Sequence, residues 1–205
     1  MEAKCTHCGC LHPVEEHPLL NVSQDPDLKA RVKDGSLFVW ECPCCGTRNL
    51  ACYQTLYHDP QARLMVWLLP GGMEPPAQVE AAVSALEGYT LRRVPDVGAL
   101  IEKVNIHDAG LSDTVMEMCK WVTKLELSEK QHRDDILEAP FKFYRVQGAD
   151  HELVLSFPQD GQMQVVNIGF NVYEDARGIL SRNPAVKPTS GFAVVDAAWL
   201  RRFFR

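Results

Sequence analysis

The sequence has no long apolar run, although 46% of its 205 residues are hydrophobic. Its best candidate is the segment LMVWLLP at residues 64–70, which is far shorter than the roughly 18 residues of a membrane span. We therefore predict a buried strand there and no membrane segment. Met1 is followed at once by charged residues and cysteines, so we expect no signal peptide and a reducing, cytoplasmic environment.

A basic segment is also missing. The net charge is −6, and residues 70–140 carry thirteen acidic against seven basic residues. Only residues 141–205 have a small basic excess, with eight basic and six acidic residues. Nucleic-acid-binding proteins usually concentrate positive charge on one surface. Nucleic acid is therefore not an expected partner, whereas the acidic middle would suit a basic protein partner or simply favour solubility.

The common catalytic motifs are absent from the sequence as well. The stretch PGG at residues 70–72 lacks the Lys-Ser/Thr of a phosphate loop, and neither GxSxG nor HExxH occurs. Tyr57, His58 and Asp59 lie near Cys52 in sequence and could suggest an active site. However, neighbouring residues on a strand point to opposite faces, so His58 and Asp59 would not pair. We interpret residues 57–60 (YHDP) as a turn and assign no catalytic residue.

What the sequence does contain is a concentration of cysteine. Six of the eight cysteines lie in two short stretches, CTHCGC from Cys5 and CPCCGT from Cys42. Each stretch contains Cys-x-x-Cys-Gly, in which the turn aims both sulfurs at one point and the glycine accepts positive φ. The two remaining cysteines are Cys52 and Cys119, and we predict Cys119, on a helical stripe, to be a buried hydrophobic residue.

Two such turns supply the four thiolates of a structural zinc site, in which each sulfur lies about 2.3 Å from the metal. We predict that Cys5, Cys8, Cys42 and Cys45 bind Zn²⁺. Four thiolates leave no position for water or substrate, so the ion would be structural rather than catalytic. Its binding free energy, on the order of 10 kcal/mol or more, would become folding free energy.

The sequence offers other donors as alternatives to these four. Cys10, Cys44 or His7 could replace one of the four ligands in another register, although Cys44 should point away from a metal held by its own turn. Two metal-free dithiols are a further alternative. A thioredoxin-like redox centre fits less well, because neither motif opens a helix in a βαβ unit.

The order of these blocks resembles the CpXC family of bacterial and archaeal proteins. Three segments support the resemblance, namely CTHCG, NVSQDPDLKARVKDGSLFVWECPCCG and YHDPQARLMVWLLP. A later segment, LIEKVNIHDAGLSDTVMEM, is similar to the helical region that often follows in this family. The resemblance implies a zinc-ribbon-like module but no reaction, because the family is defined by a domain of unknown function. One departure is Thr6, which stands where the family usually has proline.

The pattern of elements predicts an α+β fold. A zinc-ribbon-like β module at residues 1–70 would contain a short helical insertion, with Asp25 as N-cap, Pro26 at the first helical position and Gly35 at its end. In the same module, SLFVWE and TRNLACYQ would form the two strands of a hairpin around the second cysteine turn. Residues 71–205 would form a helical and antiparallel-sheet region after a linker at 70–78. A division of this region near 135–140 is an alternative to a single domain.

Helical stripes and β-rich runs fill this second region. The predicted helices have apolar residues at helical spacing, and a strand is expected at YTLRRV and in three later runs. The helical stripes are Val79/Ala82/Val83/Leu86, Val97/Leu100/Ile101/Val104 behind Asp96, and Val115/Met118/Cys119/Val122 behind Ser112. The three later runs, FKFYRV, HELVLSF and QMQVVNI, predict a meander, followed by short helices at VYEDARGIL and DAAWLRRFF.

Together these observations predict a zinc-binding structural or interaction protein that acts through a protein partner. The alternative is an enzyme with its active site in the C-terminal region, in which the cysteine module serves as a structural clamp.

Overall fold

The computed structural model describes residues 1–74, 76, 78–79 and 86–204, and its fold is α+β, as predicted. Helices are combined with antiparallel and mixed sheets, and the cysteine-rich strands lie at the N-terminal end. The chain forms two compact units, which are described separately. The first consists of Met1–Ile101 with Ser190–Ala193, and the second of Glu102–Thr189 with Val194–Arg205.

Two short antiparallel ladders carry the cysteine turns of the first unit. Strand β1 (Glu2–Lys4) pairs with β2 (Leu11–Pro13), and β4 (Val39–Glu41) pairs with β5 (Arg48–Leu50). The segment that joins each pair is one of the two cysteine stretches. The predicted hairpin around the second stretch is therefore confirmed.

A mixed sheet forms the core of the first unit. It has the order β3 (Leu19–Asn21), β6 (Thr55–Asp59), β7 (Leu64–Leu68) and β8 (Thr90–Val94). The β3–β6 and β7–β8 pairs are parallel, and the β6–β7 pair is antiparallel. All five residues of β7 are buried, as expected of a strand covered on both faces. The predictions of a buried strand at 64–70 and of a strand at YTLRRV are thus confirmed.

The predicted turn at residues 57–60 was wrong. Tyr57, His58 and Asp59 belong to strand β6, whose residues alternate between buried and half-buried positions. The chain reverses later, where the Arg63 amide donates to the Pro60 carbonyl at 3.3 Å. The reason is that the alternating pattern of β6 continues through Asp59, a buried polar residue that looks like a turn residue in sequence.

The short helix between the cysteine stretches is present. Helix α1 (Asp27–Lys33) begins one residue later than predicted, with the Asp25 carboxylate accepting a hydrogen bond from the Asp27 amide at 3.2 Å. It ends before Gly35, whose φ of 77° lies in the left-handed region that favours glycine. A 3₁₀ turn at Ser36–Phe38 then replaces the first half of the predicted SLFVWE strand.

Two longer helices follow β8. Helix α2 (Val97–Asp108) is capped as predicted, because the Asp96 carboxylate accepts from the Ala99 amide at 2.7 Å. Helix α3 (Asp113–Gln131) follows Ser112. The helix predicted from Val79, Ala82, Val83 and Leu86 lies largely outside the described residues. No helix in the described ranges combines the length and the apolar character needed to cross a membrane.

The second unit contains the predicted meander and both later helices. Strands β9 (Lys142–Gln147), β10 (Glu152–Gln159) and β11 (Gln162–Ile168) are antiparallel in the order β11-β10-β9. The helices of this part are α4 (Asp135–Glu138), α5 (Phe170–Arg182) and α6 (Ala197–Arg201).

Aromatic stacking and ion pairs stabilise the packing of the second unit. The rings of Phe141 and Phe157 stack at 4.1 Å between centroids. On the surface, Arg133 pairs with Asp135 and with Asp160, both at 2.7 Å.

The division into domains 1–70 and 71–205 stays a prediction.

Candidate metal centre

The two cysteine turns have the same backbone geometry. In each, the amide of the glycine donates to the carbonyl of the first cysteine, at 3.0 Å for Gly9 to Cys5 and at 2.7 Å for Gly46 to Cys42. Both glycines have positive φ, 75° and 71°, which an L-residue adopts only with strain. The Cys-x-x-Cys-Gly pattern therefore folds into two equivalent tight turns.

The four predicted ligands converge on one point. The sulfur atoms of Cys5, Cys8, Cys42 and Cys45 all lie within 4.8 Å of one another, and all are free thiols. Two of these contacts join the two turns, with 3.6 Å between the sulfurs of Cys5 and Cys45 and 3.6 Å between those of Cys8 and Cys42. This cluster could hold a metal ion, and such an ion would fasten the two hairpins together.

The local environment shifts the pKa values of the clustered thiols in different directions. The amide of Cys8 lowers the pKa of Cys5 to about 6, whereas burial raises the pKa of Cys42 to about 11. The amide of Cys10 favours the Cys8 thiolate, but burial and the neighbouring sulfur of Cys45 together raise the pKa of Cys8 to about 11. Without a cation the four sulfurs thus do not all ionise readily, and a metal ion would stabilise the thiolate form of each.

Asn49 on β5 connects the two turns and was missed in the sequence. Its buried side-chain oxygen accepts from the amide and the hydroxyl of Thr6, both at 2.9 Å. Its side-chain nitrogen donates to the Thr47 carbonyl at 2.8 Å and approaches the Cys5 sulfur at 3.6 Å. One amide therefore holds the first turn against the second. Its only sequence signal is a polar residue at an inward-facing position of a short strand.

These contacts also explain the unusual residue Thr6. A proline at this position would lack both the amide hydrogen and the hydroxyl that donate hydrogen bonds to the Asn49 side chain. In this chain, hydrogen bonding to Asn49 holds the first turn where proline would supply stiffness.

Two further cysteines of these stretches, Cys10 and Cys44, belong to a second group of donors. Cys44 points away from the four-sulfur cluster, as predicted, and its sulfur lies 3.6 Å from Nε2 of His12. Together with Cys10 they form a second set whose donor atoms lie within 4.8 Å of one another. His7 is exposed and belongs to neither of the two groups found among the described residues. The sequence prediction overlooked His12, although the spacing Cys10-x-His12 was a usable signal.

The catalytic candidates of the first unit have separate partners. His58 Nε2 lies 3.3 Å from the Tyr89 hydroxyl, whereas the Asp59 carboxylate pairs with Lys29 at 3.3 Å. Burial lowers the pKa of His58, and burial raises the pKa of Cys52. His58 and Asp59 therefore have different partners, which agrees with the prediction that these two residues would not pair.

The model of the family described as "CpXC protein" matches residues 3–120 of the chain, which is more than half of it. The chain belongs to the CpXC family. The CpXC match includes both cysteine turns, the mixed sheet, helix α2 and the beginning of α3, so it extends well beyond residue 70. Searches of curated proteins and of solved structures found no match.

Proposed function

We propose that this CpXC protein binds one Zn²⁺ ion through Cys5, Cys8, Cys42 and Cys45, and that the ion has a structural role. The proposal rests on the distances between the four sulfur atoms. A tetrahedron with metal–sulfur distances of about 2.3 Å has edges of about 3.8 Å. Two of the sulfur–sulfur distances are 3.6 Å, and the others are at most 4.8 Å.

The donor set supports zinc over harder cations. Four thiolates in tetrahedral array suit Zn²⁺, whereas Mg²⁺ and Ca²⁺ prefer oxygen ligands. Bound zinc would supply cross-linking only, because the four sulfurs complete its coordination. The ladders that it would join have three residue pairs each, and isolated two-stranded hairpins are at best marginally stable in water.

Elemental analysis tests the proposal directly. We expect about one zinc per chain after removal of weakly bound metal under reducing conditions. The double change Cys42→Ser and Cys45→Ser should abolish this zinc and lower the melting temperature. Cys52→Ser is the matched control, because this half-buried thiol lies outside both groups, and it should retain the zinc. Wild-type protein that melts normally with no zinc would favour two metal-free dithiols instead.

We further propose that the protein works through a protein partner that adds a strand to β11. In the described part of the chain, this strand pairs only with β10, so its other edge is available. It carries no charged residue, and the side chains of Met163 and Val165 are more than 60% exposed. Uncharged edge strands are favourable sites for pairing with another chain.

A charge on this edge should block the contact. Val165→Lys should remove a partner that co-purifies reproducibly with the tagged protein, whereas Glu174→Lys on the exposed surface of α5 should retain it. A partner that binds both variants equally would contradict this location.

A groove in the second unit favours the enzyme alternative as a second candidate. It has a volume of about 170 Å³, and its lining includes Glu117, Lys120, Lys124 and Lys142. Lys120 donates to Glu117 at 2.7 Å and to Glu102 at 2.9 Å.

Burial and neighbouring charges shift the pKa values of the groups in this network in different directions. Burial raises the pKa of Glu117 and lowers that of Lys124. Burial also opposes ionisation of Glu102, but Lys120 and the other nearby lysines lower its pKa below the usual range. Neighbouring carboxyl groups with pKa values shifted in opposite directions are typical of acid–base sites, although structural ion-pair networks produce the same effect.

Ligand binding would distinguish these two explanations. If the groove is an active site, a small anionic compound at millimolar concentration should raise the melting temperature, since binding stabilises the folded form. Lys142→Met should remove that shift, because this half-exposed lysine is the most accessible cation of the network. No shift with a panel of carboxylates and phosphate esters would leave the network a structural feature.

A further inference from the structure

The second group of donors consists of Cys10, His12 and Cys44, and it adjoins the four-sulfur cluster through the side-chain contact of Cys10 with Cys8. The two sulfurs and a ring nitrogen of His12 lie within 4.8 Å of one another. Cys10 ends the first turn, His12 lies on β2, and Cys44 lies inside the second turn. The group therefore also joins the two hairpins, with ligands that differ from those of the first cluster.

We propose that these three residues form a second, exchangeable zinc site with one open coordination position. Two thiolates and one imidazole are borderline-soft donors that suit Zn²⁺. Three protein ligands leave the fourth tetrahedral position to water or to an external donor, unlike the closed set of four sulfurs. The site goes beyond the proposed function, because it shares no ligand with the structural site.

Ligand number distinguishes this site from the first. Cys44 is exposed and Cys10 and His12 are half-buried, whereas the four-sulfur cluster combines the buried Cys5 and Cys42 with the exposed Cys8 and Cys45. An ion at the second site would have only three protein ligands, so a chelator can bind it at the open position without first displacing a sulfur. The expected result is one firmly held zinc and one that exchanges.

The imidazole is held in a defined environment. Its ring contacts Trp40 at 6.0 Å between centroids, with an angle of 56° between the planes. His12 and Trp40 also line an open groove of about 480 Å³, together with Pro43 and Arg31. An external donor such as a small imidazole compound would have access to an ion bound by His12.

Metal titration of the full chain tests the second site. The protein, stripped of metal and kept reduced, is titrated with Co²⁺ and with Zn²⁺, and the bound equivalents are counted. We expect two equivalents for the wild type and for the control Cys52→Ser. His12→Ala should bind one equivalent and keep the four-sulfur Co²⁺ spectrum. Added imidazole should change the spectrum of the weaker equivalent in the wild type and have no effect in His12→Ala.

A second variant separates ligation from ring packing, because His12→Ala also removes the contact with Trp40. Cys44→Ser should lose the same equivalent, and both variants should keep the wild-type melting temperature in the presence of one equivalent of zinc. A single equivalent in the wild type, or two equivalents in both variants, would overturn the second site.

The two zinc proposals fail in different ways. If the structural site is wrong and the second is right, the one bound equivalent disappears in His12→Ala and persists in Cys5→Ser. If only the second is wrong, Cys5→Ser loses the one equivalent and His12→Ala retains it.

Discussion

Replacing Asn49 with alanine should weaken metal binding as well as folding, because this side chain connects the two cysteine turns. It is only 5% exposed and makes three hydrogen bonds of 2.8–2.9 Å to Thr6 and Thr47. It also approaches the Cys5 sulfur at 3.6 Å. Its loss would leave the Thr6 amide and the Thr47 carbonyl without this partner and remove a donor to one thiolate.

Two contributions can be estimated. A buried hydrogen-bonding group left without its partner costs about 1–3 kcal/mol of folding stability. A side chain that supports a metal ligand is worth about 10- to 100-fold in metal affinity, which corresponds to about 1.4–2.7 kcal/mol. Asn49→Ala should therefore raise the zinc dissociation constant at least tenfold and lower the melting temperature of the zinc-bound form.

Thr55→Val is the matched control. The Thr55 side chain is fully buried, and its hydroxyl donates to the His17 carbonyl at 2.8 Å in the mixed sheet, away from the sulfurs. This change should cost a similar amount of folding stability and leave zinc affinity unchanged. Zinc affinity is measured by competition with a chromophoric chelator, and stability by thermal melting.

Wild-type zinc affinity in Asn49→Ala would refute the reasoning about the connecting amide. An equal loss of affinity in Thr55→Val would do so as well, because it would attribute the effect to general destabilisation.

Three further predictions concern the second unit. Glu102→Gln should cost about 3–5 kcal/mol of folding stability, because it removes one of the carboxylates that pair with the buried Lys120. Glu126→Gln, which breaks an exposed ion pair, should cost less than about 0.5 kcal/mol, and denaturant unfolding measures both values. Cys119, whose pKa burial raises to about 12, should resist alkylation at neutral pH until the protein is unfolded, as mass spectrometry would show. Arg133 lowers the pKa of its two aspartate partners, so the stability that these ion pairs contribute is present above pH about 4 and is lost below it. The wild type should therefore melt at a higher temperature than Arg133→Ala at neutral pH, and this difference should disappear on acidification. A difference that grows on acidification would contradict the prediction.

Local patterns in the sequence predicted much of the secondary structure. The stripe from Val97 to Val104 became helix α2 behind the Asp96 cap, and the three β-rich runs became the meander. The Cys-x-x-Cys-Gly spacing predicted both turns, because a tight turn with positive φ is a property of a few neighbouring residues. The turn predicted at residues 57–60 failed, because residues 57–59 pair with β3 and β7 in the mixed sheet, and the turn begins only after Asp59, whose carboxylate accepts from the Ala62 amide at 2.9 Å.

The sequence by itself determined that this chain has two glycine-ended cysteine turns, an α+β pattern and CpXC family membership. Only the tertiary structure decided that four sulfurs from these turns meet, that Asn49 joins them, and that Cys10, His12 and Cys44 form a second group. The physical reason is distance along the chain: the backbone preferences of a few residues determine a turn, but a metal-compatible cluster requires packing to bring together atoms that are more than thirty residues apart in sequence.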